Sequence, residues 1–342
     1  MPIEYQGAKV PTSFASCSIG HKESHTFPLK LKAIADAGFD GIELAMTDLL
    51  AYGKVLNGTA PAWEDFDAFV EIAKVAREQA KQHNLTIIML QSFAHLEGWP
   101  KGSKERETAF NRARGYMRIM EAAGTDMLQI GSSDVPEIAA ASFDDLVGDL
   151  AELADIFATK GFRIAYENWC WATHAPDWKD VWRIVEKVDR PNVGLCLDTC
   201  QSAGGEWADP TTKSGLIEEE GLTREALEAR WRQSLEDLAR TVPGDKIYVL
   251  QVSDGYRMDP PLENKVNEKG MRPRYQWSVD YRPLPFDGGY LPVTDFSDAV
   301  LKTGFRGWYS VEVFDSKAPQ KYDDMGEFAK KALSSLEKLL HK

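Results

Sequence analysis

The stretch FRIAYENWCW, residues 162–171, carries an apolar strand pattern straight into Glu167, which sits among three aromatics and a cysteine. A buried carboxylate is costly unless it is paired, hydrogen-bonded or bound to a metal. Three later segments end in the same way: GLCLDTCQ carries Asp198, YVLQVSD carries Gln251 and YSVEVF carries Glu312. Three carboxylates that converge without a cation repel one another, and a divalent ion resolves the conflict. Oxygen-only ligands favour Mg²⁺ or Mn²⁺, with Co²⁺ or Zn²⁺ as further options. Glu43 and Asp254, also near strand ends, are weaker candidates, each of which could instead support a ligand by accepting a hydrogen bond or cap a helix.

Convergence requires that the strands be neighbours. Apolar strand patterns occur at 11–19, 40–46, 86–93, 126–131, 163–168, 193–199, 246–254 and 307–314. They alternate with amphipathic helix patterns at 28–38, 66–83, 104–124, 142–161, 178–188, 223–241, 293–304 and 325–340. Repeated βα order predicts a parallel sheet. Eight units in a chain of this length predict an α/β fold, a (β/α)8 TIM barrel, as a single domain over 1–342. Neither a GxGxxG nor a GxxxxGK[ST] phosphate loop is present, which argues against a doubly wound nucleotide fold. Long loops after strands six and seven, roughly 200–222 and 255–292, fall where a barrel builds its active site.

The composition is globular, with 43% hydrophobic and 27% charged residues in 342. A net charge of −13 argues against nucleic acid and anionic membrane as partners, since both need basic patches. It leaves room for a small anionic substrate bound by one or two local cations. No run approaches the ~20 apolar residues of a membrane helix, and the opening MPIEYQGAKVPTSF predicts no cleaved leader. Cys17, Cys170, Cys196 and Cys200 form no CxxC pair. They are expected to be reduced thiols in a cytoplasmic protein.

The order Glu, Asp, Gln, Glu on strands five to eight resembles the xylose isomerase-like superfamily of metal-dependent barrels. Within it, YENWCWATHAPDWKDVWRIVEKVDRPNVGLCLDTCQSAGGEWADP, together with DGIEL, LQSF, WSVDYR and GGYLPV, resembles the fungal 3-dehydroshikimate dehydratases of quinate catabolism. The resemblance is densest over 162–210 and 246–314. It implies loss of water from 3-dehydroshikimate to give protocatechuate, with Glu167, Asp198, Gln251 and Glu312 as metal ligands. It also implies that Ser278 and Arg282, together with Gln201, bind substrate. An Arg fork suits a carboxylate, so the expected partner is a small carboxylated polyhydroxy-ketone.

A proton beside a ketone is too weakly acidic for a side-chain base unless the enolate is stabilised, which a metal can do. Candidate bases are His95, His174 and the carboxylates Glu167 and Glu312. Bacterial relatives carry a His where this chain has Gln201, which cannot take a proton. His21 and His25 are weaker candidates, and His83 and His341 read as structural. Trp169, Trp171, Phe93 and Trp207 are expected to wall off a small ring. The mouth departs from the family pattern at Ala45, Thr47, Ser92 and Gln201, which keeps a sugar isomerase or epimerase open as the alternative. A catalytically dead binding barrel would not need all four ligand types. A multi-zinc apurinic endonuclease would need more His and Asp ligands and a basic DNA face, against which the six His and the charge of −13 count. The apolar C-terminal helix and the aromatic loops permit a homo-oligomer.

Overall fold

The structure, a computed structural model, describes residues 3–340, so His341 lies outside the described residues. Eight strands form the barrel: β1 (Thr12–Ala15), β2 (Gly41–Ala45), β3 (Thr86–Phe93), β4 (Met127–Gly131), β5 (Arg163–Glu167), β6 (Val193–Asp198), β7 (Ile247–Val252) and β8 (Trp308–Val311). Every neighbouring pair is parallel, and β8 closes the ring by pairing with β1, Tyr309 opposite Thr12. The (β/α)8 barrel expected from the alternation is therefore the fold.

The near-continuous apolar runs make sense because both faces of each strand are covered. One face packs outward on helices, as Ile164, Tyr166, Leu195, Leu197, Leu250 and Val252 do within the main core. On the inner face the two-residue period places Ala165 below Glu167, Cys196 below Asp198 and Val249 below Gln251. Those three lower residues belong, with Ile88, Met89 and Met127, to a separate small buried cluster. The acids thus stand on an apolar plug that fills the barrel.

The shell is built from α1 (Phe27–Ala37), α2 (Met46–Asn57), α3 (Phe66–Gln82), α4 (Lys104–Ala123), α5 (Phe143–Ala158), α6 (Trp178–Val188), α7 (Thr199–Glu206), α8 (Arg224–Thr241), α9 (Pro273–Asp280), α10 (Val293–Lys302), α11 (Ala318–Lys321) and α12 (Met325–Leu340). Their starts follow the sequence chemistry. Ser103 accepts from the Arg106 N–H at 3.2 Å to cap α4, and Ser142 and Asp145 form a reciprocal capping box on α5.

Three expectations need correction. The first strand pattern, 11–19, yields a strand only over Thr12–Ala15, because Ser16–Ser18 tighten into a 3-10 turn. Strand two is followed by two helices rather than one; α2 escapes the pattern because Gly53 interrupts it. That glycine is needed, since a Cβ there would meet Ile72 at 2.6 Å. The stretches expected as loops after strands six and seven contain α7 and α9.

Among the described residues two short antiparallel pairs lie outside the barrel, Glu4–Tyr5 with Ala8–Lys9 and Tyr281–Arg282 with Phe314–Asp315. The second ties the excursion after β7 to the chain leaving β8. Among the described residues no helix is long and apolar enough to cross a membrane, and all four cysteines are free.

Candidate active site

Glu167 and Asp198 are the last residues of β5 and β6, Gln251 lies one short of the end of β7, and Glu312 directly follows β8. Parallel register sets Asp198 opposite Gln251 and Gln251 opposite Ser310, so the four residues share one end of the barrel. Glu167, Asp198 and Glu312 are buried, and each offers a carboxylate oxygen within 4.8 Å of the other two.

Each ligand candidate is held from behind. Glu167 Oε2 accepts from the Gln129 amide and, at 3.3 Å, from Trp169 Nε1, while Oε1 is buried without a partner. Asp198 Oδ1 caps α7 by accepting from the Gln201 N–H at 2.8 Å. Gln251 donates Nε2–H to Glu43 Oε2 at 2.8 Å, and its amide oxygen is buried without a partner. Glu43 also accepts from the Gln91 amide.

Burial raises the Glu167 carboxyl well above the usual range, and the Glu312 and Asp198 charges add to it. Glu312 is pushed up to about 7 by burial, although Arg282 pulls it back. Burial, then the Glu312 charge, raises Glu43 to about 8. Asp198 is raised by burial against the pull of Arg282.

Arg282 is itself fully buried and faces these acids. Its Nη2 pairs with Asp198 Oδ2, lies 3.2 Å from Glu312 Oε2 and donates to the Glu312 carbonyl at 3.0 Å. Its Nε donates to Ser253 Oγ at 3.0 Å, and Nη1 donates to Ser278 Oγ at 3.3 Å. Burial works against its charge, but Asp198 and Glu312 outweigh that and hold it firmly protonated.

One guanidinium against three carboxylates leaves two negative charges uncompensated in a buried site. Desolvated like charges of this kind call for a cation or for protons. The unpartnered oxygens of Glu167 and Gln251, with all donors being oxygen, fit a hard divalent ion.

The sequence reading expected Arg282 to present its fork to a carboxylate. Here Nε and Nη2 are engaged by the protein, so the full fork is not free. What remains is the second Nη1–H, for which the protein offers no acceptor, and the hydroxyl of Ser278; both residues line the cleft. The Ser278 oxygen accepts from Arg282 and, at 3.0 Å, from Gln201 Nε2, which leaves its own hydrogen free to donate. Gln201 Oε1 accepts from the Cys170 N–H at 3.2 Å, so this side chain fixes Ser278 from below.

A cleft opens above the acids, lined by Glu167, Glu312, Arg282, Ser278, Gln201, His95, Asp134, Trp169, Trp171 and Tyr275 among others. Trp169, Trp171 and Tyr275 form a continuous stack, with ring centroids 5.2 and 4.9 Å apart. Gly131 makes room for it: a Cβ there would lie 2.1 Å from the Trp169 ring. Phe93 and Trp207, expected as walls, are elsewhere. Phe93 packs on Tyr116 beneath the cleft, and Trp207 packs on Tyr290 at a separate groove.

His174 is also displaced from its expected role. Its Nε2 lies 2.7 Å from the Ile138 carbonyl, away from the cleft, because Thr173 binds Ser133 and turns the chain back over β4. His21 and His25 line a different pocket with α12 residues. His83 caps the end of α3. Ser92 reaches the cleft, whereas Ala45 is buried off it and Thr47 is exposed on α2. Asp254 braces the excursion after β7, accepting from the Gly255 and Leu291 N–H groups at 2.8 Å each.

Sequence reasoning missed Gln129, Gln91 and Asp134. The two glutamines carried a usable signal, since each is a carboxamide inside an apolar strand, as Gln251 is.

Comparison with known proteins agrees with this architecture. The family model described as xylose isomerase-like TIM barrel matches residues 31–338. A 3-dehydroshikimate dehydratase from Neurospora crassa is 31% identical over 327 residues, covering 92% of this chain and 89% of the relative. One from Pseudomonas putida is 28% identical over 85% of this chain, which spans 36% of that protein's length. Among solved structures, a xylose isomerase-like TIM barrel/4-hydroxyphenylpyruvate dioxygenase fusion protein superposes with a TM-score of 0.71 at 26% identity, covering 97% of this chain and 43% of that one.

Proposed function

The chain belongs to the xylose isomerase-like TIM barrel family, and from that premise we propose that it is a hydro-lyase converting 3-dehydroshikimate to protocatechuate. The observation that carries the reading is the shared cleft. A carboxylate-binding pair, Ser278 with the spare N–H of Arg282, opens onto the same space as a buried triad of acids. The relatives from Neurospora crassa and Pseudomonas putida carry that activity in their names. The family match over 31–338 supports one barrel domain for the whole chain.

Glu167, Asp198, Gln251 and Glu312 would hold a divalent ion, Mg²⁺ or Mn²⁺ by the hardness of their donors. When bound, such an ion supplies Lewis-acid stabilisation of charge developing on an adjacent oxygen. The remaining work falls to the protein. Ser278 Oγ–H and Arg282 Nη1–H bind the substrate carboxylate and fix the ring in the cleft. Trp169, Trp171 and Tyr275 supply an aromatic wall beside the ring and exclude water. A base on the cleft wall takes the proton from the carbon beside the ketone, the hydroxyl on the next carbon leaves with one proton as water, and the ring tautomerises to a catechol. Aromatisation makes the sequence strongly downhill.

Incubating Mn²⁺-loaded protein separately with 3-dehydroshikimate and with a panel of ketoses, and identifying products by NMR, tests this reading. Protocatechuate from the first and no epimers from the second is the expected outcome. Epimerised ketose with unchanged 3-dehydroshikimate overturns it in favour of a sugar epimerase.

A further inference from the structure

We propose that His95 is the proton-transferring base and acid of this cleft and that Asp134 positions it. The proposal rests on the dehydratase reading and deepens it.

His95 follows β3, and Asp134 follows β4 on the neighbouring strand. His95 Nδ1 is buried and lies 3.3 Å from Asp134 Oδ1, within ion-pair reach though outside hydrogen-bond geometry, and it has no other partner. Its Nε2 is neither buried nor hydrogen-bonded, and the residue lines the cleft with Glu167 and Arg282. A carboxylate beside one ring nitrogen, with the other nitrogen open to the cleft, is the arrangement that orients an imidazole once the contact tightens around bound substrate.

Both partners are clamped. Asp134 Oδ2 accepts from Trp171 Nε1 at 3.0 Å, and Trp171 is stacked between Trp169 and Tyr275. The loop holding Asp134 is fixed by the buried Glu97, whose Oε1 accepts from the Ser133 N–H at 2.8 Å and from the Tyr166 hydroxyl at 2.9 Å. His95 sits at φ +56° and its carbonyl accepts from Trp99 Nε1 at 3.2 Å. A non-glycine residue in that region persists only where its surroundings hold it.

Other cleft groups are less suited. Gln201 is not a base and has both its amide atoms engaged. Glu312 is paired with Arg282, and Glu167 belongs to the acid triad.

The step balances with one group. Neutral His95 Nε2 takes the proton as the C–H bond breaks, and the electron pair moves toward the ketone. The imidazolium returns that proton to the departing hydroxyl as the C–O bond breaks, water leaves, and His95 is neutral again.

The charged groups facing His95 are Asp134, Glu137 and, from α4, Arg112. Burial lowers its pKa, Asp134 and Glu137 raise it, and Arg112 lowers it. Removal of the Asp134 charge should therefore move the acid limb of kcat/KM to lower pH, because neutral His95 then persists further down.

The test compares Mn²⁺-loaded wild type, H95A and D134N with 3-dehydroshikimate. The expected result is protocatechuate from wild type and a roughly 100-fold or greater fall in kcat for H95A with KM little changed. Added imidazole should restore part of that loss, and D134N should shift the acid limb downward. Folding of each variant is checked by its thermal midpoint, and H95N serves if H95A does not fold. An active wild type with H95A within threefold of it, or with an unmoved limb in D134N, overturns the assignment and leaves the dehydratase reading standing. A wild type that makes no protocatechuate overturns both.

Discussion

Gln251 gives its amide N–H to Glu43 at 2.8 Å and so keeps its amide oxygen, buried and unpartnered, as the free atom of a residue that sits opposite Asp198 in the barrel. The orientation of a metal-ligand candidate is thus set by an acid 208 residues away in sequence. A Gln at position 43 could donate to Gln251 instead of accepting from it, and the ligand amide would be free to flip. E43Q should weaken Mn²⁺ binding by about 10–100-fold, the usual cost of losing such a supporting partner, while folding normally without metal. Calorimetric titration of metal-stripped protein checks this. Unchanged affinity would mean that Glu43 does not orient the ligand.

Arg282 is the one cation pairing with Asp198 and Glu312 among the described residues. Removing one side of a buried pair typically costs about 3–5 kcal/mol. R282M should accordingly lower the thermal midpoint sharply in metal-free protein and much less at saturating Mn²⁺, because a divalent ion in the acid triad offsets the same charge. Equal losses with and without metal would place the ion elsewhere.

Gly131 has no room for a side chain beneath Trp169. G131A should push the indole off its stack and break its hydrogen bond to Glu167, at a stability cost of about 1–3 kcal/mol for overpacking. Tryptophan fluorescence should change, and the substrate KM should rise more than the thermal midpoint falls. An unchanged emission spectrum would argue against the tight contact.

Asp254 tests the excursion after β7. Burial pushes its carboxyl up to about 6, although backbone N–H groups of Leu291 and Gly255 pull it down. A folded-state pKa above the unfolded value means that its contribution to stability is fully present below pH ~4 and is lost as pH rises through ~6. Asn carries no charge at any pH. The unfolding free energy of D254N relative to wild type should therefore rise by up to about 3 kcal/mol between pH 4 and pH 7 in urea titrations. A difference independent of pH would mean that the Asp254 carboxylate is not desolvated.

The barrel was legible because both faces of each strand are covered, so strands read as short apolar runs and helices as amphipathic ones. The acids stood out because each ends such a run, where an unpaired charge is costly. Arg282 was harder. Its engagement with Asp198 depends on Tyr281–Arg282 pairing with Phe314–Asp315, a long-range register with no local signature. His174 entered as a candidate base because it follows the aromatic run in WCWATHAP. The bonds from the Thr173 N–H to Ser133 and from the Thr173 hydroxyl to Val135 turn the chain away there. Asp134, in GSSDVP, carries no local sign of a role, and its proximity to His95 follows from the adjacency of β3 and β4.

The most direct test of the central claim is a rate assay on metal-stripped protein with 3-dehydroshikimate, before and after adding Mg²⁺ or Mn²⁺, reading the catechol absorbance of protocatechuate. The account predicts no product without metal, product on its addition, and none from E167A under either condition. Folded, metal-loaded wild type that yields no protocatechuate, or a rate indifferent to metal and to Glu167, would contradict it.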